Sequence, residues 1–198
     1  MNYLAHAYLS FHQPEILVGN MISDHVKGKK KFDYSAGVQK GISLHRAIDE
    51  FTDNHPATHF AKQYYRPAYR LYAGAFIDVV YDYFLACDNN VFPTENVLED
   101  FAREVYQVLE DHYSVLPERF QKMFPYMKKH DWLYNYRLKE GLEKSFGGLV
   151  YRAAYLHDSA TAFDIFNTNY PALKKAYESF FPDLKIYSLD RLDNLMHG

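Results

Sequence analysis

Cysteine is all but missing from this chain of 198 residues, where Cys87 stands alone. A single thiol cannot close an internal disulfide, so a disulfide-framework protein is excluded and cysteine-based zinc sites go with it. Long hydrophobic runs are missing too, and nothing approaches the ~18 uninterrupted apolar residues that a membrane span requires. Positive charge is not in excess: 22 Lys and Arg against 25 Asp and Glu leave a formal charge of -3. General affinity for nucleic acid phosphates is therefore not indicated, and any charge-driven partner must be met by a local patch. The opening MNYLAHAYLSFHQPE has no basic leader, no long apolar run and no small-residue cleavage site, so it does not read as a signal peptide. The expectation is a cytoplasmic chain with no membrane and no nucleic acid partner. No repeat, low-complexity tract or long Gly, Pro or Ser linker divides it. A chain of this length can bury roughly 70% of its unfolded surface, so one domain spanning residues 1–198 is predicted.

What the chain does have is aromatic rings: 19 Tyr and 15 Phe, though one Trp. Tyrosine packs a ring and hydrogen-bonds a hydroxyl, which suits seams between helices better than a stacking platform for bases. Apolar positions recur at helical spacing, and no convincing period-two alternation occurs, so the fold class is all-α. Helices are predicted over residues 14–26, 35–53, 56–63, 67–87, 94–113, 117–127, 130–144, 146–157 and 161–180. Breaks fall at turn chemistry, such as Lys27-Gly28, Asn54-His55-Pro56 and Asp88-Asn89-Asn90, and Ser35 is placed to cap the helix after the first break. Residues 88–118 carry eight acids against Arg103, which reads as a solvated helix face. Lys27, Lys29, Lys30 and Lys31 crowd one loop.

The informative stretch is LYAGAFIDVVYDYFLAC, residues 71–87. Apolar and aromatic side chains surround the helix, which marks it as buried, yet it carries Asp78 and Asp82 and no Lys or Arg. Four residues apart, the two carboxylates share a face, about 40° from each other. Burying them unpaired costs several kcal/mol, so protonation, an arginine from elsewhere, hydrogen bonds or a bound cation must compensate. In GISLHRAIDEFTDNHP, His45 and Asp49 likewise converge on a mostly apolar face. Such a pair can ligate one metal or simply hydrogen-bond each other. Asp24 ends the apolar helix containing Asn20, and His6 lies within Tyr3-Leu4-Ala5-His6-Ala7. Two His and four Asp on greasy faces form an oxygen-rich set without thiolate. That set favours Mn2+ or Mg2+, with Fe2+ or Zn2+ as further options, and such a centre suits phosphoester hydrolysis. The adjacent pairs His130-Asp131 and His157-Asp158 diverge by about 100° and sit near polar helix ends, which makes them weaker candidates. Ser43 and Ser145 lack a nucleophile elbow, and Gly147-Gly148 lacks a phosphate cradle, so serine hydrolase and P-loop readings fall away.

At these residues the chain resembles the acyl carrier protein phosphodiesterase family, hydrolases that remove phosphopantetheine from holo acyl carrier protein. Met1-Asn2-Tyr3-Leu4-Ala5-His6 is similar to the family opening, and Gly19-Asn20 through Asp24 with Val26-Lys27-Gly28 to its second block. The third block is matched by Gly41 to Arg46, Ile48-Asp49, Phe51-Thr52-Asp53 and His55-Pro56, and the fourth by Asp78 with Asp82 to Ala86. Residues 88–198 match mainly in length and helical character.

The resemblance implies an all-helical, HD-domain-like fold and use of Mn2+. It implies metal roles for His45, Asp49 and one or both of Asp78 and Asp82, with Asp24, His6 and Arg46 at the chemistry. Asn20, Lys27, Lys29, Lys30, Arg66 and Arg70 are expected on the substrate side. Arg46 follows His45 where the HD pattern has Asp, Tyr83 stands where the family usually has His, and His25 where an aromatic is common. Acyl carrier protein is strongly acidic, so the lysine loop beside Asp24 is placed to receive it. Two other readings are open: hydrolysis of another phosphoester such as a nucleotide, and a non-catalytic helical protein that binds an acidic partner.

Overall fold

The structure is a computed structural model that describes residues 1–197, and helices carry the chain from one end of them to the other. They are α1 (Tyr3–Tyr8), α2 (Pro14–Ile22), α3 (Ala36–Asn54), α4 (Pro56–Tyr69), α5 (Ala73–Ala86), α6 (Glu95–Asp111), α7 (Glu118–Lys129), α8 (Trp132–Asn135), α9 (Lys139–Arg152), α10 (Ala160–Thr168) and α11 (Tyr170–His197). No strand occurs among the described residues, in agreement with the all-α expectation.

Two glycines decide how α2 and α3 meet. A Cβ on Gly19 would lie 2.1 Å from the Val38 carbonyl oxygen, and one on Gly41 would lie 2.3 Å from that of Ile16. The helices therefore touch backbone to backbone, an approach that any larger residue forbids. Because Asn20 follows one glycine directly and His45 lies one turn beyond the other, this crossing also brings those two residues together.

α5 is the buried helix that its sequence predicts. Phe76, Ile77, Val80, Tyr81, Asp82 and Leu85 have no exposed surface, and α1, α4, α9 and α11 pack around it. Tyrosines fill the seams as their chemistry suggests. The ring of Tyr65 stacks on Phe76 at 5.6 Å and that of Tyr81 on Phe180 at 4.8 Å. The Tyr65 and Tyr69 hydroxyls donate to the carbonyls of Ala162 and Asp158. α6 buries Leu98, Ala102, Val105 and Leu109 and turns its acids outward. Ser35 caps α3 by accepting from the Val38 N–H.

Several boundaries differ from the sequence expectation. The segment 67–87 is not one helix: α4 runs through Pro67 to Tyr69, Arg70 takes φ +48°, and α5 starts at Ala73. Tyr65 and Tyr69 both pack on Phe76, and that packing outweighs the hydrogen bond Pro67 cannot make. The expected break near Ser145 is absent, and the chain breaks before α9 instead. Gly141 permits this, since a Cβ there would lie 2.0 Å from the Asn135 carbonyl oxygen. The segment 161–180 divides at Asn169, and α11 continues through Pro182 to His197. Residues 3–8, left without a helix by their short pattern, form α1.

Candidate active site

A chain of hydrogen bonds fixes the orientation of two histidines. The Asn20 amide donates to the His6 carbonyl at 2.8 Å and to Ser10 Oγ at 3.1 Å, so its Oδ1 must accept from His6 Nδ1, 2.8 Å away. Protonated at Nδ1, a neutral His6 presents a lone pair at Nε2. That atom is buried, makes no hydrogen bond and lies 3.2 Å from Asp49 Oδ1. His45 repeats the arrangement. Its Nδ1 donates to the backbone carbonyl of Asn20 at 2.7 Å, a carbonyl in the last turn of α2, where i+4 partners run out. Its Nε2 lies 3.1 Å from Asp49 Oδ2 and 3.3 Å from Asp24 Oδ1. The two imidazoles stack with centroids 3.9 Å apart at 14°.

Two ring nitrogens thus converge on one carboxylate. In His6, Asp49 and His45, one ligand atom from each lies within 4.8 Å of the others. Second-sphere groups that fix the tautomer and leave Nε2 free are what metal-ligating histidines require. The residues present fit a divalent ion, because a lone pair aimed at a carboxylate oxygen with no proton between them needs a positive charge. Without an ion that charge comes from protons. Burial opposes protonation of His45, but hydrogen bonds and charge from Asp24 and Asp49 push its pKa up to about 9. Burial and the neighbouring His45 charge push His6 down to about 4. Burial would raise Asp49, yet the Met1 ammonium and both histidines hold it well below the usual carboxylate range.

The α-amino group of Met1 lies 3.3 Å from Asp49 Oδ1 and 3.1 Å from Asp78 Oδ1. Burial opposes its charge, but Asp78, Asp49 and Asp82 outweigh that and push its pKa up to about 11. Asp78 therefore borders the cluster through this ammonium. Asp82 has a different occupation. It accepts from the backbone N–H groups of Asn2, Leu4 and Ala5 at 3.3, 2.7 and 3.4 Å, which satisfies the free donors at the start of α1. By resemblance Asp82 is expected to share the metal role with Asp78; its oxygens instead accept from α1, and it lies outside the His6, His45 and Asp49 group.

Other sequence expectations sort by burial. Asn20 is fully buried and holds His6, so the expectation of a substrate contact is corrected to that of an orienting residue. Asp24, held below its usual pKa first by its hydrogen bond to His45, stands at the rim with its side chain 73% exposed. Arg46 donates to the Val26 carbonyl at 3.3 Å and ties α3 to the start of the lysine loop. Lys27 is exposed just before, and Lys29 and Lys30 within, the 3-10 helical segment Gly28–Asp33, which Gly28 opens with φ +59°. Arg66 and Arg70 are exposed at the far end of α4. The sequence reading passed over Lys62, whose Nζ lies 2.7 Å from Asp53 Oδ1 and packs at Gly74. The available signal was Asp53, one turn along α3 from Asp49.

The sequence profile of the family described as acyl carrier protein phosphodiesterase matches residues 1–184. This chain belongs to that family. A relative of that name from Enterobacter sp. (strain 638) is 30% identical over 191 residues, covering 96% of this chain and 99% of the relative. One from Serratia proteamaculans (strain 568) is 29% identical over 191 residues, covering 96% and 99%. One from Photorhabdus laumondii is 28% identical over 195 residues, covering 98% and 96%. No solved structure matches the chain. Within the family frame, the departure at Tyr83 falls away from the histidine cluster. The Tyr83 ring packs against Phe84, Phe166 and Tyr170. His25, a further departure, meets Phe120 edge to face at 5.5 Å.

Proposed function

We propose that this member of the acyl carrier protein phosphodiesterase family hydrolyses the phosphodiester joining 4'-phosphopantetheine to the carrier-protein serine, giving apo carrier protein and free phosphopantetheine. The observation that carries the metal-dependent form of this reading is the pair of Nε2 atoms, one on each ring, aimed at the two oxygens of Asp49. His6, His45 and Asp49 hold the ion, with Asp24 and Asp78 at its border. Two imidazoles with carboxylate favour Mn2+ or Fe2+ over Mg2+. When bound, the ion neutralises phosphoryl charge and makes water a better nucleophile at neutral pH.

The residues of the chain perform the rest. Asn20 fixes the Nδ1 side of both rings, His6 through its side chain and His45 through its carbonyl, so that each Nε2 faces the cluster. Asp24, exposed and kept ionised, is placed to accept a proton from the attacking water. Arg46 holds the Val26 segment so that Lys27, Lys29 and Lys30 stand beside the rim, where they attract an acidic carrier protein. No helix of the described residues is long and apolar enough to cross a membrane, and action on a cytoplasmic carrier protein is part of this proposal, as is kinship with HD-domain phosphohydrolases.

Intact-mass spectrometry of holo acyl carrier protein incubated with the chain and Mn2+ tests the reading. Loss of the phosphopantetheine mass is the expected result. An unchanged holo mass with every divalent ion tried would reject it, and turnover of nucleotides instead would favour the other phosphoester reading.

A further inference from the structure

α5 begins after a strained turn whose surroundings look toward a ligand. Arg70 takes φ +48° and ψ -117°, a region that L side chains rarely adopt and that the surrounding structure must impose. The turn throws Leu71 outward, leaving it 99% exposed. Immediately behind it, Tyr72, Ala75 and Phe76 face Leu149 and Leu156 across a groove of about 160 Å³. An apolar space of ~150 Å³ holds a group of roughly six carbons. Arg152 brings a positive charge to the lining.

One wall of the groove belongs to the helix that carries Asp78, a residue at the border of the active site. Ala75 precedes Asp78 by one helical turn, about 5 Å along α5, and Asp78 meets the Met1 ammonium that touches Asp49. Arg152 and Asp24 both lie close enough to Tyr3 for their charges to act on its phenol, in opposite senses. Large apolar side chains flank the groove in the open: Tyr151 is 92% exposed and Tyr155 81%. Apolar exposure gathered around a concavity marks a surface that binds something.

We propose that this groove seats the pantetheine arm of the substrate, with Arg152 at the junction of arm and phosphate. The inference rests on the phosphodiesterase reading above and adds to it where the arm goes. The arm leaves its phosphate through a methylene and then a quaternary carbon bearing two methyl groups, followed by a hydroxyl and two amides. It therefore needs a small apolar seat within a few ångströms of the anion site and a cation where the apolar and anionic parts join. Ala75, Leu149 and Leu156 supply the seat, and Arg152 supplies the cation. Leu71, Tyr151 and Tyr155 then contact whatever carries the arm.

Calorimetric titration of the metal-free full chain with 4'-phosphopantetheine, D-pantetheine and inorganic phosphate provides the test. Ala75→Trp fills the groove from α5, and Leu156→Asp places a charge in it from the segment after α9, outside any helix. Both variants should weaken 4'-phosphopantetheine and D-pantetheine binding by about tenfold or more while leaving inorganic phosphate within about twofold. Saturation-transfer NMR on the parent chain should mark the geminal methyl groups most strongly. Parental affinity for 4'-phosphopantetheine in a folded Leu156→Asp chain overturns the proposal, as does undetectable binding to the parent. A change of oligomeric state with unchanged arm affinity also overturns it and assigns the groove to a second copy. Hydrolysis of holo carrier protein by the parent is scored separately, so failure of the arm site and failure of the phosphodiesterase reading are distinguishable.

Discussion

His6 and His45 lie face to face, ring centroids 3.9 Å apart, with each Nε2 about 3 Å from a different oxygen of the same carboxylate, Asp49. Stacked this closely, the two rings cannot both carry charge at low cost. Burial first and the His45 charge second drive His6 down to about 4, whereas Asp24 and Asp49 outweigh burial and push His45 up to about 9. The metal-free site therefore keeps one extra proton at neutral pH, on His45.

That proton sets a pH dependence. A base whose pKa rises from 6.5 to about 9 on folding contributes stability that is fully present below pH 6.5 and lost as pH rises through 9. The Met1 amine, raised from 8.0 to about 11, extends the loss in the same direction. The melting temperature of metal-free protein should fall steadily from pH 7 to pH 10. Because an ion takes the place of the His45 proton, Mn2+ affinity should rise over the same interval, with about one proton released per ion below pH 9. Calorimetry in buffers of different ionisation enthalpy counts that proton, and a count of zero with flat melting curves would reject the exchange.

Asp49→Asn keeps volume and most hydrogen-bonding capacity but removes the charge that both imidazoles face. Turnover of holo carrier protein should fall by about 10²–10³-fold or more, and the rise in melting temperature that Mn2+ gives the parent should disappear. Far-ultraviolet circular dichroism should stay parental. Retained Mn2+ stabilisation in this variant would remove Asp49 from the ion's holders.

Asp82→Ala distinguishes a cap from a metal ligand. Three backbone N–H groups at the start of α1 lose their acceptor, which should cost on the order of 2 kcal/mol or more in urea unfolding. Mn2+ bound per chain, measured by elemental analysis of folded protein, should stay at the parental value. A normal melting curve with lost metal would reverse the assignment.

Gly41→Ala tests the helix crossing. The added Cβ would fall 2.3 Å from the Ile16 carbonyl oxygen, so α2 and α3 must separate. A loss of about 1–3 kcal/mol is expected, together with weaker Mn2+ binding, since separation pulls His45 from the Asn20 carbonyl. Loss of stability with parental metal affinity would show that the crossing does not position the site.

Reversal of Lys29 and Lys30 to Glu addresses the carrier surface. Both are exposed and neither touches the histidine cluster, so kcat should hold while KM for holo carrier protein rises by about tenfold at low salt. The difference from the parent should shrink as salt increases. An unchanged KM would exclude the loop from docking.

Composition and periodicity alone settled the all-helical class, the burial of α5 and the outward acids of α6, because those features follow from local patterning that the tertiary context reinforces. They also brought His6, His45, Asp49 and Asp24 under suspicion, since polar groups on apolar faces demand compensation wherever they end up. The form of compensation was not legible there. Asp78 and Asp82 share a helix face and look equivalent in sequence, yet one meets an ammonium and the other caps α1, a helix too short to announce itself by periodicity. The break at Arg70 and the groove behind it were equally hidden, because Tyr65 and Tyr69 on Phe76 override the local signal of Pro67. Contacts between residues far apart in the chain depend on backbone approach, and here that approach was decided by two glycines, each unremarkable until the other lies against it.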